Sequence, residues 1–103
     1  MEMREAISEL LGAMLDQNQV TADDVISLIL TATPDLVSDF PAAGARHFGF
    51  ADVPLLCAQE INVQGALPRV IRVLMHIDST RDRDEINHVY LRGAEVLRQD
   101  LHP

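Results

Sequence analysis

The sequence predicts a small mixed α/β domain, on three observations. Apolar residues recur at helical spacing between residues 3 and 17. Two short runs rich in branched side chains, 25–33 and 70–77, are typical of buried strands. The predicted elements follow the order α-β-α-β-β-β with few long linkers, which is typical of a mixed α/β fold. With 103 residues the chain has the length of one domain, so we assign residues 1–103 to a single domain.

The first helix is predicted because one of its faces is apolar and the other is acidic. The apolar positions are Met3, Ile7, Leu10, Leu11, Met14 and Leu15. We expect Asn18 to end this helix. Thr21 and Asp24 have the spacing of a capping box, which predicts a short turn before the next strand.

Proline, glycine and apolar spacing place the remaining elements. The first strand, 25–33, ends at Pro34. A second helix starts at Pro41 and runs to about Phe48, just before Gly49. The other predicted elements are a strand at 55–58, a turn at 61–69 that contains Gly65 and Pro68, a strand at 70–77, a short strand at 87–91 and a last strand at 93–97.

Arg72 interrupts the apolar strand 70–77. Because side chains alternate along a strand, Arg72, Leu74 and His76 share one face. The other face is apolar and carries Ile71, Val73, Met75 and Ile77. Burying a guanidinium without a partner is costly. Arg72 is therefore expected either to pair with a carboxylate, for which Glu60 is the candidate, or to face a ligand together with Glu60.

Composition excludes several classes of partner. A net charge of −8 disfavours nucleic acid, which binds to basic patches. No apolar run approaches the ~18 residues of a membrane span, and the charged N-terminus lacks the apolar core of a signal peptide. Cys57 is the one cysteine, which excludes an internal disulfide and favours a reducing compartment. We therefore expect a cytoplasmic protein with no nucleic-acid or membrane partner.

Neither a metal centre nor a phosphate-binding loop is indicated. The cysteine and the four histidines are scattered without zinc-site spacing; the histidines are His47, His76, His88 and His102. The glycines are dispersed rather than clustered in a loop. A nucleophilic pair of Cys57 with His88 is an alternative, although a lone cysteine in an apolar run is more commonly a small buried hydrophobe. We expect no metal and no cofactor.

The remaining polar and aromatic residues suggest a pocket. They are Phe40, Arg46, Cys57, Glu60, Arg72 and Tyr90. By residue type they suit a small polycarboxylate that carries a hydroxyl, because arginines bind carboxylates and Glu60 can accept a hydrogen bond from the hydroxyl. A set of structural ion pairs explains the same residues equally well on chemistry alone, so both interpretations stay open.

Several segments, in this order and at this spacing, resemble the monofunctional chorismate mutases of the AroH type. The segments are Ala32–Leu36, Phe40–Ala42, the helix that carries Arg46, Val53–Pro54, Cys57–Glu60, Gly65–Leu67, Ile71–Val73 and His88–Leu91. No single motif is decisive, but together they are specific, and the resemblance covers about residues 1–101. It implies a mixed sheet with helices on one side, and a homotrimer in which the sheets form a central pseudo α/β barrel. It also implies active sites between subunits and the rearrangement of chorismate to prephenate.

The resemblance also implies roles for individual residues. Arg72 is expected to point at the ether oxygen of the breaking bond, and Glu60 to contact the ring hydroxyl together with Cys57. Arg46 and Tyr90 are expected to hold carboxylates. Phe40 and Leu97 are expected to form an apolar wall.

The sequence differs from the family pattern in two ways. Family members begin with a strand rich in Arg, Gly and Ala that supplies a further substrate-binding arginine, whereas this sequence opens in the first helix. The missing strand is expected to leave a sheet edge exposed. Three explanations stay open for the missing arginine: a truncated or mis-started sequence, reduced activity, or compensation by another residue. Alanine and glycine fill positions 42–45, where a basic residue is often found, which predicts weaker substrate binding. The alternative function is a non-catalytic trimer that binds a small carboxylate or a partner protein.

Overall fold

A computed structural model of the chain describes residues 2–36, 41–65 and 68–92, with side chains from Arg4 onward. The predicted helices and the first three predicted strands are all present, with ends that agree with the sequence prediction to within one residue. Its helices and strands are α1 (Glu2–Asn18), β1 (Val25–Ala32), α2 (Pro41–Phe48), β2 (Leu55–Gln59) and β3 (Ile71–Ile77). Short 3-10 turns occupy Ala22–Asp24 and Arg83–Glu85.

The three strands form one mixed sheet in the order β2-β1-β3. The central strand β1 is parallel to β2 and antiparallel to β3. In this register Thr31 of β1 lies between Ala58 of β2 and Arg72 of β3. Within the part of the chain that the structure describes, β2 and β3 are the outer strands, and each pairs only with β1.

Both helices pack on one face of the sheet, as the resemblance implied. Leu28 and Leu30 of β1 are fully buried there against Ile7 and Leu11 of α1 and Ala45 of α2. This face holds the hydrophobic core. Burying each large apolar side chain contributes roughly 1.5–3 kcal/mol, so the position of the sheet relative to the helices is well determined.

Gly44 lets α1 and α2 approach closely. A Cβ at Gly44 would lie 2.9 Å from Cδ1 and 3.2 Å from Cβ of Ile7, whose side chain is fully buried. Gly12 of α1 is different, because a Cβ there would meet only the ring of Phe48, at the ordinary contact distance of 3.7 Å. Gly12 is therefore a suitable control for a substitution at Gly44, because both are helix positions and only Gly44 is tightly packed.

We expect Gly44→Ala to destabilise the fold and Gly12→Ala to stabilise it. Alanine is better than glycine in a helix by about 1 kcal/mol, but overpacking a core costs roughly 1–3 kcal/mol. The free energy of unfolding is expected to fall by about 1 kcal/mol in Gly44→Ala. In Gly12→Ala only the gain from helix propensity is expected. Urea unfolding of the two variants measures both changes. Stabilisation by both substitutions would contradict the close helix approach.

The other face of the sheet carries no helix among the described residues. Ile29 of β1 pairs with Leu56 of β2 on one side and with Leu74 of β3 on the other, which makes an apolar row across the sheet. Leu56 is 60% exposed and Leu74 is 56% exposed. We call this side the open face and these three residues the apolar row.

The strand predicted at 87–91 is wrong, because the structure has no strand in this segment. The buried side chain of Asn18 takes both backbone groups of Asn87: its Oδ1 accepts from the N–H at 2.7 Å and its Nδ2 donates to the carbonyl at 2.9 Å. These groups are therefore not available to a neighbouring strand. The strand predicted at 93–97 lies outside the described residues.

Candidate active site

Arg72 lies on the open face, as the alternation along β3 predicted. Its side chain is 58% exposed, and its neighbours Ile71 and Val73 turn toward the helices. The Nε of Arg72 lies 3.1 Å from Oε2 of Glu60. An exposed ion pair contributes only about 0–1 kcal/mol to stability, so folding does not account for an arginine at this position.

Glu60 is held at the end of β2 by its backbone and by its side chain. Its N–H donates to the carbonyl of Ala32 at 2.9 Å, which extends the ladder between β1 and β2 by one residue. Its carboxylate accepts a hydrogen bond from the hydroxyl of Thr31 through Oε2. Glu60 is also the more buried partner of the ion pair, with 18% of its side chain exposed.

The loop before β3 is fixed by Thr33 and Asp35. The hydroxyl of Thr33 accepts from the N–H of Val70 at 2.9 Å, and Asp35 accepts from the N–H of Arg69 at 3.1 Å. The hydrogen bond from the Thr33 hydroxyl, helped by that from Arg69, holds the pKa of the Asp35 carboxyl below its ordinary value. These contacts fix the start of the strand that carries Arg72.

Tyr90 and Arg72 line the same groove, which runs along the outer edge of β3. The groove has a volume of about 590 Å³. Its walls are β3, the apolar side of α1 and the segment 86–92. Tyr90 is half-buried there. The structure therefore places Arg72 and Tyr90 at the same groove and Glu60 beside Arg72.

Cys57 and Arg46 belong to a different region. Cys57 pairs with Leu30 of β1, so its side chain turns toward the helices, where its Sγ accepts from the N–H of Ala42 at 3.1 Å. Arg46 is exposed one turn further along α2 than Ala42. Within one chain the side chain of Cys57 therefore points to the helix side of the sheet, whereas that of Glu60 points to the open face. Phe40 and Leu97 lie outside the described residues.

The nucleophilic pair of Cys57 and His88 is not formed within the chain. Cys57 lies on β2, whereas His88 lines the groove beside β3, beyond the central strand. Adjacent strands are about 4.8 Å apart, so the sheet separates the two side chains by more than hydrogen-bond reach. Among the residues that the structure describes, no cluster of His, Cys, Asp and Glu is arranged to hold a metal ion.

No described helix is both long enough and apolar enough to cross a membrane.

The geometry defines a class of site: a cation on a rigid strand beside a carboxylate, next to a groove that can admit a small molecule. Such an arrangement suits binding of a small anion that also carries a hydroxyl.

Comparison with known proteins identifies the family of the chain. The family model for chorismate mutase type I matches residues 1–101. A chorismate mutase AroH from Thermus thermophilus is 46% identical over 100 residues, which cover 96% of this chain and 82% of that protein. A chorismate mutase AroH from Bacillus subtilis is 40% identical over 101 residues, which cover 97% of this chain and 80% of that protein.

The solved structures agree. A chorismate mutase from Clostridium thermocellum superposes with a TM-score of 0.89 at 43% sequence identity, over 92% of this chain and 85% of that one. The chain therefore belongs to the chorismate mutase type I family, and the resemblance seen in the sequence motifs is confirmed.

Proposed function

We propose that this chain catalyses the intramolecular Claisen rearrangement of chorismate to prephenate, in the cytoplasm, as a step of phenylalanine and tyrosine biosynthesis. Membership of the chorismate mutase type I family supports the activity. The observation that carries the site is the Glu60–Arg72 pair on the open face. The reaction forms a carbon–carbon bond as an ether bond breaks in one molecule, so it needs no nucleophile, metal or cofactor.

Arg72 supplies positive charge to the ether oxygen, which becomes negative in the transition state. Its Nε lies at Glu60, and within the described part of the chain its two Nη groups have no partner, so they remain for a ligand. A donor held on a strand does not have to reorganise as charge develops, which is the main source of electrostatic catalysis. Glu60 holds the arginine from one side and presents its second oxygen, Oε1, to the ring hydroxyl.

The substrate is held in its compact chair by groups around this pair. Chorismate carries two carboxylates, and Arg46 and Tyr90 supply donors for them. Cys57 contacts the ring hydroxyl, and Phe40 and Leu97 form the apolar wall. Fixing a flexible substrate in a near-attack geometry contributes several kcal/mol to lowering the barrier.

We further propose that the active protein is a homotrimer with its sites between subunits. The proposed ligands fall into two groups: Arg72 with Tyr90 at the groove along β3 and Glu60 beside Arg72, and Cys57 with Arg46 near α2. One substrate can contact both groups if each comes from a different copy. The exposed apolar row on the open face supplies a surface for that association.

A bicyclic diacid that mimics the compact transition state tests this function against a non-catalytic binding protein. For an enzyme, the diacid is expected to inhibit chorismate turnover competitively, because transition-state mimics bind more tightly than substrate. Calorimetric titration gives its affinity in the same preparation. Binding of the diacid without any chorismate turnover would favour the binding protein.

A further inference from the structure

Thr31 has a central place beside the Glu60–Arg72 pair. It lies on the central strand β1, directly opposite Arg72 of β3 in the register. Its side chain is on the open face, and its hydroxyl donates to Oε2 of Glu60. On the opposite side from Arg72, Thr31 pairs with Ala58 of β2. Glu60 lies two residues after Ala58, so its side chain points to the same face of the sheet. Thr31 therefore lies between the two members of the ion pair.

The hydrogen bond from Thr31 determines which oxygen of Glu60 is available. Both the Thr31 hydroxyl and the Nε of Arg72 converge on Oε2. Oε1 has no partner within residues 2–36, 41–65 and 68–92. A glutamate has three side-chain torsions and is poorly fixed by one exposed ion pair, whereas two contacts at the same oxygen restrict its orientation.

We propose that Thr31 is a positioning residue for the mutase reaction: its hydroxyl holds the Glu60 carboxylate so that Oε1 faces the substrate hydroxyl and Arg72 stays aligned. This inference rests on the proposed function. Threonine also favours strands, so a purely structural role would be served equally well by valine. Valine has the same branching as threonine and lacks only the hydroxyl, which makes Thr31→Val the decisive substitution.

Thr31→Val is expected to lower kcat/KM by about tenfold or more, since a hydrogen bond to a charged group is lost. Thr31→Ser keeps the hydroxyl and is expected to retain most of the activity. Ser27→Ala is the matched control: Ser27 also lies on β1 with its hydroxyl 3.1 Å from Nδ1 of His76, away from Glu60. This control is expected to leave kcat/KM unchanged. Thermal unfolding of each variant detects any loss of fold.

A double-mutant cycle with Glu60→Ala completes the test. If Thr31 acts through Glu60, Thr31→Val has no further effect on kcat/KM once the carboxylate is gone. A full additional loss in that background, or an unchanged kcat/KM in Thr31→Val alone, would overturn the proposal and leave the mutase function standing.

Titration with the bicyclic diacid separates failure of this proposal from failure of the mutase function. Absence of turnover in the wild-type chain would refute the function itself. In that case a diacid affinity that falls in Thr31→Val and returns in Thr31→Ser would still support the positioning role. Equal affinity in all three chains would refute it.

Discussion

Arg72→Ala is expected to lower kcat by about 10²–10³-fold while the chain still folds. Loss of one preorganised donor at a developing negative charge costs roughly 3–4 kcal/mol of transition-state stabilisation. The side chain is 58% exposed and its ion pair with Glu60 is solvated, so its removal costs little stability. Steady-state kinetics with chorismate measure the loss, and thermal unfolding checks the fold.

Two further variants make this result specific. Arg83→Ala removes an exposed arginine from the 3-10 turn Arg83–Glu85 and is expected to leave kcat unchanged. Arg72→Lys keeps the charge but replaces the planar donor fork with a point charge, so we expect only partial recovery relative to alanine. Near-normal turnover in Arg72→Ala would remove Arg72 from the mechanism.

Leu74→Glu is expected to break the trimer and abolish turnover together. Leu74 is the β3 member of the apolar row and is 56% exposed in the isolated chain. In the proposed trimer it becomes buried, and burial of an unpaired carboxylate costs several kcal/mol. We expect monomers in sedimentation and a fall in kcat/KM of more than about 100-fold, because each 1.4 kcal/mol is a factor of ten.

Gln17→Glu is the control for charge. It adds the same negative charge at an exposed position of α1, on the helix side of the sheet. This variant is expected to remain trimeric and active. A monomeric Leu74→Glu chain with full activity would contradict the proposal that each site needs two copies.

The sequence predicts the fold well where the signal is local. The apolar periodicity of α1 and the alternation along β3 give the elements and place Arg72 on the face away from the helices. Pro41 and Gly49 bound α2 as predicted, and Gly49 has the positive φ that a helix-ending glycine permits. Such features depend on neighbouring residues, so one sequence suffices to find them.

What the sequence does not give are contacts between distant residues. The structure pairs Arg72 with Glu60, which is one of the two arrangements predicted for them. Thr31 was missed as a partner of Glu60. A threonine in an apolar run is an ordinary strand residue until the strand register is known. The strand expected at 87–91 was wrong for a similar reason, since Asn18 binds the backbone of a residue 69 positions away. The orientation of Cys57 toward the helices also depends on its pairing with Leu30.

The most direct test of the account is a chorismate assay on this 103-residue chain, followed by ultraviolet absorbance with the product identified as prephenate. We expect turnover well above the uncatalysed rate in the wild-type chain and its loss in Arg72→Ala. A folded wild-type chain that binds the diacid but leaves chorismate unchanged would contradict the account.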